Sequence, residues 1–151
     1  MPPAEQSGPG TDSGPDVRGV EVQWRGTFTS GEVNRLHAEA FGTRVFSDAE
    51  WNWREQVAAH SLGWVTARDA GALAGFVNVV WDGEAHAWLQ DVMVAAGSRH
   101  CGVGRRLVDA ARDGARAAGC EWLHVDFPDD LAPFYLDACG FRPARAGLMP
   151  L

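Results

Sequence analysis

The sequence predicts a three-layer α/β (α+β) domain in which a mixed, mostly antiparallel sheet carries helices on both faces. Three observations predict it. Two helix-like segments precede three strand-like runs joined by tight turns, which is the pattern of an antiparallel meander. A helical stripe then links the fourth strand to a fifth, and such a crossover implies a parallel step. The 151 residues, 46% apolar and 22% charged, suit one domain with a sizeable core.

The elements follow in order. Residues 1–16 are rich in Pro, Gly, Ser and Asp and read as a disordered tail, because they lack the apolar content to offset ordering entropy. The folded domain is expected over 17–151. Val20-Glu21-Val22-Gln23-Trp24 alternates and reads as the first strand. Thr29-Ser30-Gly31-Glu32 has the form of a capping box, and Val33, Leu36, Ala40 and Phe41 share one helical face before the stop at Gly42. Ser47-Asp48-Ala49-Glu50 repeats the signal and predicts a second helix carrying Trp51, Trp53 and Val57 to near Ser61.

Strand-like runs at 63–68, 73–81 and 87–94 are punctuated by Asp69-Ala70-Gly71 and Asp82-Gly83. A helix over about 104–118 places Val103, Leu107, Ala111 and Ala115 on one stripe. Trp122 to Phe127 reads as the fifth strand, 131–139 as a short helix stopped by Gly140, and 141–151 as a last extended segment.

The composition excludes several classes. A net charge of -7 argues against nucleic-acid binding, which depends on Lys and Arg against phosphates. No apolar run approaches the ~20 residues of a membrane-spanning helix. The first residues lack a secretion signal, so a cytoplasmic protein is expected. Three cysteines without a C-x-x-C pair, and five histidines without ligand spacing, point to neither a disulfide framework nor a metal site.

The most informative segment runs from Val92 to Leu107. A buried strand ends at Val94, a loop with Gly97, Gly102 and Gly104 follows, and a helix starts at once. Helix N-termini offer unpaired N–H groups and a positive dipole end, which bind anions. Arg99, Arg105 and Arg106 surround this start, where Asp or Glu would favour the macrodipole. An anionic ligand resolves that conflict; a solvated basic turn is the plainer alternative. Leu107 stands where a dinucleotide fingerprint needs its third glycine, and the P-loop pattern is absent.

Arg99-His100-Cys101-Gly102-Val103-Gly104 resembles the R/Q-x-x-G-x-G/A motif of the GNAT N-acetyltransferase superfamily. Pro133-Phe134-Tyr135-Leu136-Asp137-Ala138-Cys139-Gly140-Phe141 is similar to the family's F/L-Y-x-x-x-G-F segment, in family order and at family distance. The resemblance covers roughly 18–151. It implies the GNAT fold, with acetyl-CoA as co-substrate. The N–H groups of Arg99, His100, Cys101, Gly102, Val103 and Gly104 would hold the pyrophosphate, with Arg105 beside them. The main chain of Val92, Met93 and Val94 would pair with the pantetheine arm as an added strand. The fourth and fifth strands would splay to seat the thioester.

Acyl transfer to an amine needs a base for the amine, a donor for the carbonyl oxygen and an acid for the departing thiolate. An N–H near Met93 or Val94 is the expected oxyanion donor. Tyr135, the chain's one tyrosine, occupies the position of the family's general acid; a core aromatic is the alternative. His124 on the fifth strand, supported by Asp126, is one candidate base. Asp91 inside an apolar strand is its rival, and Glu84 and His86 are weaker ones. Cys101 is set aside as a nucleophile because the family transfers directly. Trp51, Trp53, Trp81 and Trp88 could wall an acceptor pocket or simply fill the core.

The expected reaction is acetylation of a small-molecule amine. A protein N-terminal or lysine acetyltransferase and a non-catalytic acyl-CoA-binding module are the other readings. Pro128-Asp129-Asp130 departs from the family, which usually has an Asn there, and eleven residues after Gly140 leave room for one strand or a clipped hairpin. The open sheet edge makes a homodimer an expectation.

Overall fold

The computed structural model describes residues 19–151; the tail expected over 1–16 lies outside them. Strand β1 (Val20–Trp24) leads through a loop to helix α1 (Ser30–Phe41) and helix α2 (Trp53–His60). Strands β2 (Ser61–Asp69), β3 (Ala72–Trp81) and β4 (His86–Val94) form the meander. Helix α3 (Val103–Ala117) crosses to β5 (Trp122–Val125). The sheet order is β1-β2-β3-β4-β5, antiparallel throughout except for the parallel step from β4 to β5. This is the mixed sheet that the sequence predicts. Among the described residues, no helix is long and apolar enough to cross a membrane.

Helix α1 starts as its capping box dictates. The Thr29 side chain accepts from the Glu32 N–H, and the Glu32 carboxylate accepts from the Thr29 N–H at 2.8 Å. Arg68 on β2 binds the same carboxylate at 2.9 Å, which fastens the helix start to the sheet and holds the Glu32 pKa down at about 2. Gly42 ends the helix at φ 66, a conformation that costs glycine little. Phe41, expected on the buried face, is instead half-exposed and leans on the His37 ring.

The second capping signal opens no helix where it was expected. Ser47 donates from its N–H to Glu50 at 2.9 Å, but this closes a turn, and α2 begins only at Trp53. Asn52 is the working cap: its Oδ1 accepts from the Glu55 N–H and also from the Ser30 hydroxyl of α1. That tertiary bond selects the later start.

Two apolar clusters lie on opposite faces of the sheet. On one face α3 inserts Val103, Leu107, Val108, Ala111 and Ala115 against Val65, Val77, Val79, Ala87 and Leu89. On the other, Val33 and Leu36 of α1 and Trp53 and Val57 of α2 pack on Phe28, Phe76 and Met93. Each buried Val, Leu, Phe or Met among them contributes about 1.5–3 kcal/mol by leaving water.

Trp24 of β1 lies between two glycines, Gly63 of β2 and Gly114 of α3; a Cβ on Gly114 would stand 2.6 Å from its ring. Gly114→Ala is therefore expected to destabilise by about 1–3 kcal/mol through overpacking, read from the midpoint of urea unfolding. An unchanged midpoint would show that the indole moves aside at no cost.

The C-terminal part differs from expectation. The short helix is a 3₁₀ turn (Asp129–Leu131) followed by a π-helix (Pro133–Ala138). Residues 141–151 form no strand. Pro143 and Pro150 supply no N–H to a ladder and Gly147 weakens a strand, so the expected closing strand is not made. Leu148, Met149 and Leu151 are exposed.

Candidate active site

Strands β4 and β5 run side by side only from His86/Trp122 to Leu89/Val125. Beyond that point β4 continues alone to Val94, so a gap opens between the two strands on the side of the loop. A bulge accentuates it. Phe76 pairs with Met93 and Asn78 with Gln90, which leaves Asp91 and Val92 opposite Val77 alone. Asp91 takes φ 54, a left-handed conformation unusual for a side chain other than glycine. Such strain, costing on the order of 1–3 kcal/mol, clusters at functional positions.

The backbone direction past the bulge is fixed. The Ala95 N–H donates to the Ala74 oxygen of β3 at 2.8 Å. Alternation along the strand then turns the N–H and C=O of Val92 and Val94 toward the gap and those of Met93 toward β3. Arg99 Nε takes the Val94 oxygen at 3.1 Å. Of the two expected oxyanion donors, Val94 faces the gap, and Val92 joins it.

The loop that follows makes a 3₁₀ turn (Ala96–Ser98), passes His100 at φ 61 and reaches Gly102 at φ 82. Its start is tied to α1, because the Ala96 N–H donates to Glu39 Oε1 at 2.6 Å. Gly102 caps α3 without a side chain, and the first turn of α3 contains no acidic residue. The first intrahelical bond runs from the Arg106 N–H to the Gly102 oxygen. The N–H groups of Val103, Gly104 and Arg105 therefore have no intrahelical acceptor and point out of the helix end. A Cβ on Gly102 would meet nothing within 4 Å, so the space over this end is open. One on Gly104 would stand 3.2 Å from the Phe134 ring, so this glycine lets the π-helix close against α3. Arg105 leans along the helix to Asp109 at 3.7 Å, while Arg99 is exposed beside the loop. This end fits an anion by its unpaired N–H groups, its dipole and its lack of competing carboxylates.

The sheet's pleat sorts the remaining candidates onto two faces. Trp88, Gln90 and His124 share the face of Phe76 and Met93, on the side of α1 and α2. Asp91 lies near His37 of α1; burial raises its pKa and the His37 charge partly offsets this. Tyr135 stands on the other face with the α3 cluster. It is 5% exposed and boxed by Phe127, Phe134 and Phe141 at ring distances of 4.9, 4.8 and 6.0 Å. Burial, then the charge of Cys139, pushes its pKa up to about 12. Its proton stays in place across the neutral range.

The sequence of the acetyltransferase (GNAT) family matches this chain over residues 31–141. The chain belongs to the GNAT acetyltransferase family. Solved structures agree in fold. A probable acetyltransferase of Staphylococcus aureus superposes with a TM-score of 0.71 at 19% identity, covering 87% of this chain and 98% of its own. The glucosamine-6-phosphate N-acetyltransferase of Arabidopsis thaliana gives 0.70 at 18% identity, covering 87% and 98%. The aminoglycoside N-acetyltransferase AAC(6')-Iy, solved with CoA, gives 0.68 at 18% identity, covering 90% and 97%. No match was found among curated proteins.

In this GNAT chain the two motifs meet. Phe134 of the second packs on Gly104 of the first, and Tyr135 follows it into the core. The partner of His124 differs from expectation. His86 Nδ1 lies 2.8 Å from His124 Nε2, and no bond joins His124 to Asp126. The register explains it: β4 and β5 bring positions 86, 88 and 124 onto one face at the closed end of the gap. The sequence holds a signal for this, since His86 and Trp88 share a face of the fourth strand, but the parallel register is invisible before folding. Of the four tryptophans considered as pocket walls, Trp53 is fully buried and bonded to Asn34, Trp51 stacks on it at 4.4 Å, Trp88 stacks on His124 at 4.8 Å, and Trp81 is exposed.

Proposed function

We propose that this acetyltransferase moves an acetyl group from acetyl-CoA directly to a primary amine of a small molecule. The observation that carries the reading is the gap past Leu89 and Val125, which ends at the uncapped N-terminus of α3. The N–H groups of the 99–104 loop and of Arg105 would hold the pyrophosphate. The main chain of Val92 and Val94 would pair with the pantetheine arm, and one of their N–H groups would receive the carbonyl oxygen. Met93 contributes the buried side chain that keeps this stretch in place.

The two faces of the gap suit an acid and a base. On the α1 and α2 face, Asp91 or His124 would take the proton from the incoming ammonium. Burial favours the neutral form of Asp91, so its carboxylate is a stronger base than one in water. On the α3 face, Tyr135 would give its proton to the thiolate. An amine entering from one face and a sulfur leaving on the other match direct transfer without a covalent enzyme. Neighbours of known name act on aminoglycosides and on glucosamine 6-phosphate, both small molecules, which supports a small acceptor. A cytoplasmic homodimer joined at the outer edge of β5 completes the proposal, and sedimentation equilibrium reads its mass.

The test is calorimetric titration with acetyl-CoA followed by a panel of small amines, with released thiol as the readout. Micromolar binding and turnover of a panel member are expected. Saturable acetyl-CoA binding with activity only on peptides would replace the acceptor class. No binding by folded protein would sink the reading.

A further inference from the structure

We propose that His86 and His124 work as one proton-accepting dyad, with His124 the base that faces the acceptor and His86 the residue that positions it; this rests on the reading above. Three observations carry it. The imidazoles approach through His86 Nδ1 and His124 Nε2 at 2.8 Å, a full hydrogen bond. Both rings are half-buried and lie near-parallel to Trp88, at 6.0 Å for His86 and 4.8 Å for His124, so neither ring turns freely. His124 immediately precedes Val125, the last paired residue before the strands part.

The bond limits the tautomers to two arrangements. Two neutral imidazoles that share one contact need one donor and one acceptor there. With His124 Nε2–H donating to His86 Nδ1, the Nδ1 atom of His124 keeps a free lone pair. A His124 turned to the other tautomer would offer the acceptor an N–H and could not act as a base. In the proposed dyad His86 is the acceptor at this contact and so holds His124 in the working form, as an orienting group does for a catalytic histidine.

The proton balance is simple. The N–H bond of the substrate ammonium breaks and an Nδ1–H bond forms on His124, leaving a neutral amine with a lone pair for the thioester carbon. The positive charge now on His124 is spread across the bridge to His86, and the proton leaves afterwards to water. Other charges surround the pair. Asp82 accepts from the His86 backbone N–H at 3.1 Å, and its own pKa is lowered first by its backbone bonds and further by the His86 charge. Glu84 lies in the same turn, Asp126 lies two residues along from His124, and Asp91 sits on the β4 bulge. Arg142 lies over the Trp122 ring at 5.9 Å, at the start of β5.

The experiment combines histidine nitrogen NMR with kinetics on full-length protein carrying His86→Leu, His86→Asn or His124→Gln. In wild type the nitrogen shifts are expected to mark His124 with its proton on Nε2 and a bare Nδ1, and His86→Leu is expected to mix the two His124 tautomers. His86→Leu is expected to cut kcat by about 10-fold or more, leaving the KM for acetyl-CoA unchanged. His86→Asn puts an amide oxygen near the place of Nδ1 and restores most of the rate. A wild-type His124 that carries its proton on Nδ1, or mixes both tautomers, overturns the dyad. So does a rate lost equally in the Leu and Asn variants, or kept in both. If no amine is ever turned over, the nitrogen shifts still test the pair, so failure of the acetyltransferase reading and failure of the dyad are separately visible.

Discussion

Gly102→Glu is expected to weaken acetyl-CoA binding by about 100-fold or more, which is about 2.7 kcal/mol. Two effects act together. The residue sits at φ 82, where a side chain costs roughly 1–2 kcal/mol. The new carboxylate also occupies the open space above the N–H groups of α3, where it satisfies them and repels a second anion. The strain alone is controlled by Gly119→Glu. Gly119 has φ 95 and equally open surroundings, but it follows the C-terminal end of α3. Calorimetry on both variants separates the causes. Loss in Gly102→Glu with affinity kept in Gly119→Glu places the pyrophosphate at this helix end. Equal affinity in both means that the anion binds elsewhere.

Tyr135→Phe is expected to lower kcat by about 100-fold while the KM for acetyl-CoA changes little. The substitution removes one oxygen and keeps the ring that Phe127, Phe134 and Phe141 enclose, so the unfolding midpoint should barely move. Because burial holds the Tyr135 proton until pH nears about 12, a basic limb seen below that in wild type belongs to another group and persists in the variant. Steady-state rates across pH, read by released thiol, decide. A full rate in Tyr135→Phe would return this tyrosine to the role of a core aromatic and leave water to protonate the sulfur.

Much of the fold was legible in the sequence because its signals are local. The Thr29 capping box, the Gly42 stop, the Asp69–Gly71 and Asp82-Gly83 turns and the Val103-Leu107-Ala111-Ala115 stripe all depend on neighbours within a few positions. The errors fall where tertiary contacts choose between local options. Ser47 and Asn52 both offer a helix cap, and only Asn52 has Ser30 waiting across α1. The 131–139 segment reads as a helix, but the π form answers to packing: Phe134 fits the hollow at Gly104 and Tyr135 turns into the α3 cluster. The last segment reads as extended by composition, yet its prolines leave it without a ladder.

The candidate site divides in the same way. The loop 99–104 was visible because glycine spacing and misplaced arginines are both sequence features. Asp91 stood out as a charge in an apolar strand, but its bulge and left-handed backbone arise from the register of β3 against β4. The imidazole pair was hidden because positions 86 and 124 lie 38 residues apart and meet only through the parallel pairing.

The bond from the Ala96 N–H to Glu39 ties the loop that precedes α3 to helix α1. Glu39 rides on α1, two residues from His37, and α1 lies over the face where the amine is proposed to enter. Under the proposed reading, an acceptor pressing on α1 would pull at the first turn of the loop, and an anion ordering the loop would steady α1. Such coupling is reciprocal by thermodynamic necessity, so each ligand changes the other's affinity by the same factor. An enzyme tied in this way is expected to favour one order of loading. That order is read by titrating acetyl-CoA with and without a saturating, unreactive acceptor analogue.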